Sequence, residues 1–282
     1  MVESTSLLTR RAVKGSEGSN PSVSATPGHT SDASASEEES ATLADSSSFL
    51  QIPFHTLTSM EWNLSPRDAV ALQKELRSQV QLTPLTIEPE LVGGCDVSMN
   101  RFAKEGFAGF VTLSYPELLI QDSSVVKDVI PFPYVPGLLS FREIPMLLKA
   151  WEKLAKKPDV LLVDGIGIAH PRRLGIASHL GLVLAIPTIG CAKSVLTGSY
   201  EEPGNEPGDW SPLVDPKTNE TIGAALRTKR NVKPMFISPG HQITLTDAIR
   251  VVMGCVRKHR LPEPTRQAHL AVNEHRVTDR GI

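Results

Sequence analysis

Two aspartates stand where a lone carboxylate is costly to keep. Asp96 lies inside the apolar stretch LVGGCDVS at residues 91–98, and Asp164 follows the aliphatic run Val160, Leu161, Leu162, Val163 and precedes Gly165 and Gly167. A run that short, bounded by Pro158 and Gly165, reads as a strand covered on both faces rather than as a helix. Asp164 then closes a buried strand at the edge where open α/β sheets place their sites; taken alone, it also fits a turn-forming aspartate before glycine. A carboxylate buried without a partner is strongly disfavoured, so Asp96 requires a cation, a hydrogen-bond network or a metal. If the two strands are neighbours, the carboxylates meet and a divalent cation relieves their repulsion. Oxygen-only ligation suits magnesium, with manganese as a substitute. The chemistry such a pair supports is phosphodiester hydrolysis, in which metal lowers the pKa of the attacking water and neutralises the leaving oxygen.

The elements that must position these residues are legible in outline. Ser65, Pro66 and Asp68 announce a helix carrying Leu72, Leu76 and Val80 on one face and ending before Pro84. Strands are expected at residues 91–98, 107–115 and 118–126, the last two joined tightly through Pro116 and Glu117. Residues 131–137, PFPYVPG, form a stiff loop presenting Tyr134, because three prolines fix φ and remove donors. A helix over residues 140–157 carries Ile144, Leu147, Leu148, Trp151 and Leu154, and Ser140 with Glu143 fits a capping box at its start. After the strand ending at Asp164, a helix is expected at 174–185, a strand at 188–191, an exposed loop at 201–215, strands at 222–227 and 235–238, a helix at 246–258, and a last helix after Pro262 and Pro264 bearing Arg266, His269 and His275. A helix, a strand meander, then alternating helix and strand predict an α/β mixed sheet with flanking helices.

Composition is that of a soluble globular protein, with 40% apolar and 5% aromatic residues among 282. No apolar stretch approaches the ~20 residues a bilayer needs. Cys95, Cys191 and Cys255 are odd in number, far apart and lack a CxxC, which speaks for reduced thiols in the cytoplasm and against a disulfide scaffold or zinc site. Residues 1–48 are Ser-rich, acidic and without apolar periodicity, which predicts a disordered N-terminal extension, with order beginning near Phe54. Of 29 Lys and Arg and 31 Asp and Glu, the extension holds three and seven, leaving 26 against 24. The slightly basic remainder permits a nucleic-acid partner without demanding one. No GxGxxG follows the first strand, so a dinucleotide-binding enzyme has no support.

GCDVS around Asp96, PFPYVPGLLSFRE at 131–143, DGIGIAHPRRLGIASHLG at 164–181, IPTIGCAKS at 186–194, SPGH ending at His241 and LPEPTRQAH ending at His269 together resemble the endonuclease V family of deaminated-base repair nucleases, in the family's order and over residues 54–282. The resemblance implies one ribonuclease H-like catalytic domain at 54–282. It also implies a magnesium-dependent hydrolase that cleaves the second phosphodiester bond 3′ to deoxyinosine. The expected partner is double- or single-stranded DNA containing deoxyinosine, with inosine-containing RNA as the alternative, and the expected state is a monomer away from membranes. Carried onto matching positions, Asp96, Asp164 and Glu143 become metal ligands, which competes with the capping reading of Glu143. His269 becomes a further catalytic residue on the late helix, and Lys193 a phosphate or leaving-group contact. Pro133, Tyr134, Pro136 and Gly137 become a wedge that unstacks the lesion, where local sequence alone equally allows Tyr134 to pack inward. Arg142, Gly165, Gly167 and His170 complete the expected DNA contacts. With apolar Ile166 between the glycines, the base edge is left to the backbone of Gly165 and Gly167.

Overall fold

The computed structural model describes residues 62–100 and 103–279; the expected extension at 1–48 and the onset of order at Phe54 lie outside the described residues. Ser65, Pro66 and Asp68 do what their types dictate. The Ser65 hydroxyl accepts from the Asp68 amide at 3.2 Å, Pro66 takes the first helical position, and helix α1 (Pro66–Leu76) follows. Strands β1 (Leu91–Ser98), β2 (Glu105–Ser114) and β3 (Ile120–Val129) form an antiparallel meander. Helix α2 (Leu139–Lys153), strand β4 (Val160–Val163), helix α3 (Ile176–Leu184) and strand β5 (Thr188–Ala192) then alternate, with β4 parallel to β1 and β5 parallel to β4. Strands β6 (Trp210–Val214), β7 (Thr221–Leu226) and β8 (Met235–His241) return antiparallel, and helices α4 (Leu245–Gly254) and α5 (Glu263–Asp279) follow.

These strands form an eight-stranded sheet in the order β3-β2-β1-β4-β5-β8-β7-β6. Its first five strands, an antiparallel meander continued by two parallel strands, with helices on both faces, make the expected ribonuclease H-like fold. Side chains of β4 alternate between the two layers. Val160 and Leu162 pack with Val251 and Val252 of α4 and Ala268 of α5, whereas Leu161 and Val163 pack with Ile144 and Leu147 of α2 and Leu180 of α3. Burial of each such side chain contributes about 1.5–3 kcal/mol, so the central strand is held from both faces of the sheet. Helix α5 approaches β1 closely: a Cβ on Gly94 would lie 2.0 Å from the Pro264 carbonyl oxygen, so this position admits only glycine. Among the described residues no helix is long and apolar enough to cross a membrane.

Two local expectations are corrected. The segment at 201–215, read as an exposed loop, ends in the edge strand β6, which tolerates Pro212 because an edge strand need not donate from both sides. The capping box of Ser140 and Glu143 is absent: α2 starts one residue earlier, Leu138 at its N-cap makes no side-chain cap, and the Ser140 hydroxyl instead bonds Nδ1 of buried His179 at 3.0 Å.

Candidate active site

The register of β1 against β4 ends at Cys95 opposite Val163, so Asp96 and Asp164 are the next residues on neighbouring strands. Strands lie about 4.8 Å apart, and residues in register share a face, which meets the condition on which the two carboxylates were expected to come together. Glu143 joins them from α2: Asp96, Glu143 and Asp164 line one cavity of about 230 Å³, floored by Cys95, Val163 and Ile176. Burial, and then the charges of Asp96 and Asp164, push the Glu143 carboxyl up to about 8. Burial also raises Asp96, opposed by its hydrogen bond to His269. Three carboxyls crowded in one cleft thus resist carrying three charges together.

Two of them have partners. Lys193, just past the end of β5, places Nζ 2.5 Å from Asp164 Oδ2. His269 on α5 sets Nδ1 2.9 Å from Asp96 Oδ2, and its Nε2 lies 3.0 Å from Asn273 Nδ2. An amide nitrogen can only donate, so Nε2 accepts and Nδ1 carries the proton toward Asp96. Asn273 is itself held: Ser98 Oγ donates to its Oδ1 at 3.0 Å, and Arg276 donates to Ser98 Oγ at 2.8 Å. The sequence reading missed Asn273; its signal was the one-turn spacing from His269, which aligns the two side chains on one helix face. Among the described residues no group of three or more His, Cys, Asp and Glu side chains stands ready to enclose a metal ion; Lys193 and His269 occupy carboxylate oxygens that a cation would use. The donor set nonetheless fits a hard divalent cation, because the repulsion expressed at Glu143 is what such a cation relieves.

Beside this cleft lies an apolar pocket of about 280 Å³, which shares Leu139 and Ile176 with it. Tyr134, Pro136 and Gly137 form one wall, Gly165 and Ile166 another, and His170 and Gln73 reach its base. Tyr134 is half-exposed, while Phe132 of the same loop is buried against Phe141. The loop is therefore anchored by one aromatic ring and presents the other. Gly137 holds the turn at φ +78°, a conformation other residues rarely adopt. Its carbonyl accepts from Gln73 Nε2 at 3.1 Å, His170 Nε2 at 3.2 Å and Arg172 Nη2 at 2.7 Å. Because the Arg172 amide donates to His170 Nδ1, the ring proton sits on Nε2. Burial, with Arg172 nearby, lowers His170 to about 4 and keeps it neutral.

The remaining expected contacts fall elsewhere. Gly167 is buried beneath the pocket: its amide donates to Ser238 Oγ at 2.7 Å, its carbonyl accepts from Gly175, and a Cβ would meet the Pro239 carbonyl. It serves sheet packing, leaving Gly165 as the glycine of the pair that lines the pocket. Arg142 is buried and donates to the Phe132 carbonyl at 2.7 Å, supporting the loop from within. Pro133 lies on the outer side of the loop, in a separate groove with Lys104 and Val129. His241 is buried and accepts from the Gln81 amide, a structural place. Gln73 was missed because a polar residue on the inner face of α1 gives no signal without knowledge of what it faces.

The sequence model of the family Endonuclease V matches residues 74–270. The chain is 48% identical over 213 residues to the endonuclease V of Dehalococcoides mccartyi strain BAV1, covering 76% of this chain and 95% of that one. It is 46% identical over 224 residues to that of Gloeobacter violaceus, covering 77% and 89%. The crystal structure of the Streptomyces avermitilis endonuclease V is similar with a TM-score of 0.73 at 38% identity, covering 78% of this chain and 96% of that one. The Ciona intestinalis endonuclease V, solved with a 24mer DNA containing an inosine followed by a ribo-adenosine, gives 0.68 at 31% identity, covering 75% and 98%.

Proposed function

The chain belongs to the endonuclease V family, and from that premise we propose that it is a repair endonuclease that draws deoxyinosine out of the DNA stack and hydrolyses the second phosphodiester bond 3′ to it, leaving the lesion in place. The observation that carries this reading is the adjacency of the apolar pocket and the carboxylate cleft across Leu139 and Ile176. A base seated in the pocket keeps its own linkages near the rim, so the bond over the carboxylates belongs to a neighbouring nucleotide. Tyr134, exposed on an anchored loop, suits insertion into the stack, which offsets an unstacking cost of a few kcal/mol. Inosine differs from guanine by lacking an exocyclic amino group, and a close backbone wall at Gly165 discriminates between them by steric exclusion.

Asp96, Asp164 and Glu143 would hold magnesium, or manganese in its place, and the cation would activate the attacking water and neutralise the leaving oxygen. His269 holds its Nδ1 proton toward Asp96 and orients that carboxylate, and Lys193 sets a positive charge beside Asp164 where a phosphate passes. Inosine in RNA is the second reading, and the ribo-adenosine after the inosine in the Ciona complex favours it. Three buried cysteines with no disulfide between them suit a reducing cytoplasm. Incubation with DNA duplexes and RNA strands carrying a single inosine, with and without magnesium, tests the assignment. Metal-dependent nicking 3′ to inosine is expected, and its absence on both substrates overturns the proposal.

A further inference from the structure

Between Glu220 and Glu263 the chain holds a single carboxylate, Asp247, against eight Lys and Arg residues. Three of the eight are neutralised by carboxylates: Arg227 by Glu202, Arg230 by Glu206, and Arg250 by Glu88 and Asp247. Lys229, Lys233, Arg257, Lys258 and Arg260 form no ion pair among the described residues. The topology sets the 227–234 connection and Arg260 at the end of the sheet where the carboxylates stand, while the Arg257 guanidinium turns to the Pro116, Gly254 and Val256 carbonyls toward the other end of β1. Strand β5 ends at Ala192 opposite Phe236, and β7 ends at Leu226 opposite Met235, so the 227–234 connection turns beside Lys193. The α4–α5 connection, residues 255–262, docks on it: Arg260 Nη2 donates to the Pro234 carbonyl at 2.6 Å and the Lys193 carbonyl at 3.3 Å, Thr228 Oγ1 to the Arg260 carbonyl at 2.9 Å, and Lys229 Nζ to the Arg257 carbonyl at 3.2 Å.

A row of cations therefore begins at Lys193 on Asp164 and continues along the sheet edge past Arg260 to the 227–234 connection with Lys229 and Lys233. Positive charge without acidic partners, bound to a rigid sheet edge and continuous with the reacting centre, has the chemistry of a phosphodiester track. We propose that the paired connections 228–234 and 258–260 hold the phosphate backbone of the nucleic acid beyond the scissile bond. This rests on the functional reading above and deepens it: with the base in the pocket and the cut 3′ to it, the track carries the 3′ arm of the substrate. Contacts of this kind are sequence-independent, since phosphate oxygens carry no sequence information.

The test is equilibrium binding of inosine duplexes to the full chain over a range of salt, in a chelator that withholds the cation nicking requires. The variant Lys229→Ser/Lys233→Ser/Lys258→Ser removes up to three phosphate contacts. Each contact contributes about 0.9 to the slope of log affinity against log salt. Between 50 and 200 mM salt the wild-type affinity should then fall about 40-fold more than that of the variant. On a duplex truncated just 3′ of the cut the two proteins should converge, whereas truncation 5′ of the inosine should leave their difference intact. The double variant Lys233→Ser/Lys258→Ser leaves Lys229 on the Arg257 carbonyl, and it should give about two thirds of the slope change should the triple variant lose its fold. Equal slopes for wild type and a folded variant, or a difference that survives 3′ truncation, overturns the track while leaving inosine nicking standing. A wild type that neither binds nor nicks inosine substrates overturns both.

Discussion

Glu143→Gln should stabilise the metal-free protein at alkaline pH while it destroys the site. In the folded chain burial and the charges of Asp96 and Asp164 hold the Glu143 carboxyl at about 8, against 4.5 for an ordinary glutamate. A folded pKa above the unfolded one means that the folded state keeps a proton the unfolded state has released. The contribution to stability is therefore complete below about 4.5 and is lost as pH rises through about 8. At ~1.36 kcal/mol per pH unit, the loss is capped at about 5 kcal/mol. The cleft admits water, and screening reduces this to about 2 kcal/mol. A glutamine of the same shape carries no charge and escapes the loss. For a domain of this size 1 kcal/mol moves Tm by about 2–4 °C, so in chelator at pH 8.5 the variant should melt about 4–8 °C above the wild type, and at pH 5 the two should nearly coincide. Magnesium should reverse the order at pH 8.5, raising the wild type through its affinity for the folded state and the variant much less. Calorimetric or fluorescence melting over that pH range, with and without magnesium, reads all four corners. Parallel Tm curves in chelator would show that Glu143 is not the crowded charge, and the electrostatic account of the cleft would be wrong.

Asp96→Asn and Asp164→Asn should each reduce single-turnover nicking about a thousandfold, roughly 4 kcal/mol in the barrier, with lesion binding retained; a wild-type rate in either variant removes that residue from the site. Tyr134→Ala should weaken binding to an inosine duplex about tenfold, near 1.4 kcal/mol, with a smaller loss on single-stranded inosine DNA, and equal losses on the two substrates would rule out the wedge. Asn273→Leu should lower kcat about tenfold with KM little changed, because His269 loses the partner that fixes its proton on Nδ1; Asn273→Gln should not restore it, and a change confined to KM would argue against a positioning role.

What the sequence made legible followed from local physics. The limits of β1 and the start of α1 were readable because an apolar run and a Ser-Pro-x-Asp start are complete signals in themselves, whereas α1 ends at Leu76, short of the expected Val80. The meeting of Asp96 and Asp164 was readable only as a condition, since it depends on β1 pairing with β4 across more than sixty intervening residues, a long-range choice with no local trace. Glu143 and Ser140 show the opposite failure. Their spacing satisfied a capping box, yet the buried His179 ring claims the Ser140 hydroxyl and the carboxylate cleft takes the Glu143 side chain. Gly167 was misassigned because a glycine that admits a ligand and one that admits the Pro239 carbonyl look alike in sequence. The partners that steady the site, Gln73 and Asn273, are ordinary polar residues whose meaning lies in what they face.

The triply bonded carbonyl of Gly137 bears on how fast the protein can search. With donors from α1 and from both His170 and Arg172 converging on one oxygen, the loop of the proposed wedge is held at its base, and the pocket has its shape without a base in it. On the proposed function, a reader built this way would inspect each nucleotide in a single encounter and reject misfits by letting go, placing discrimination in dwell time rather than in arrival. Long tracts of intact nucleic acid then cost the protein little time, because no loop has to be refolded between one base and the next.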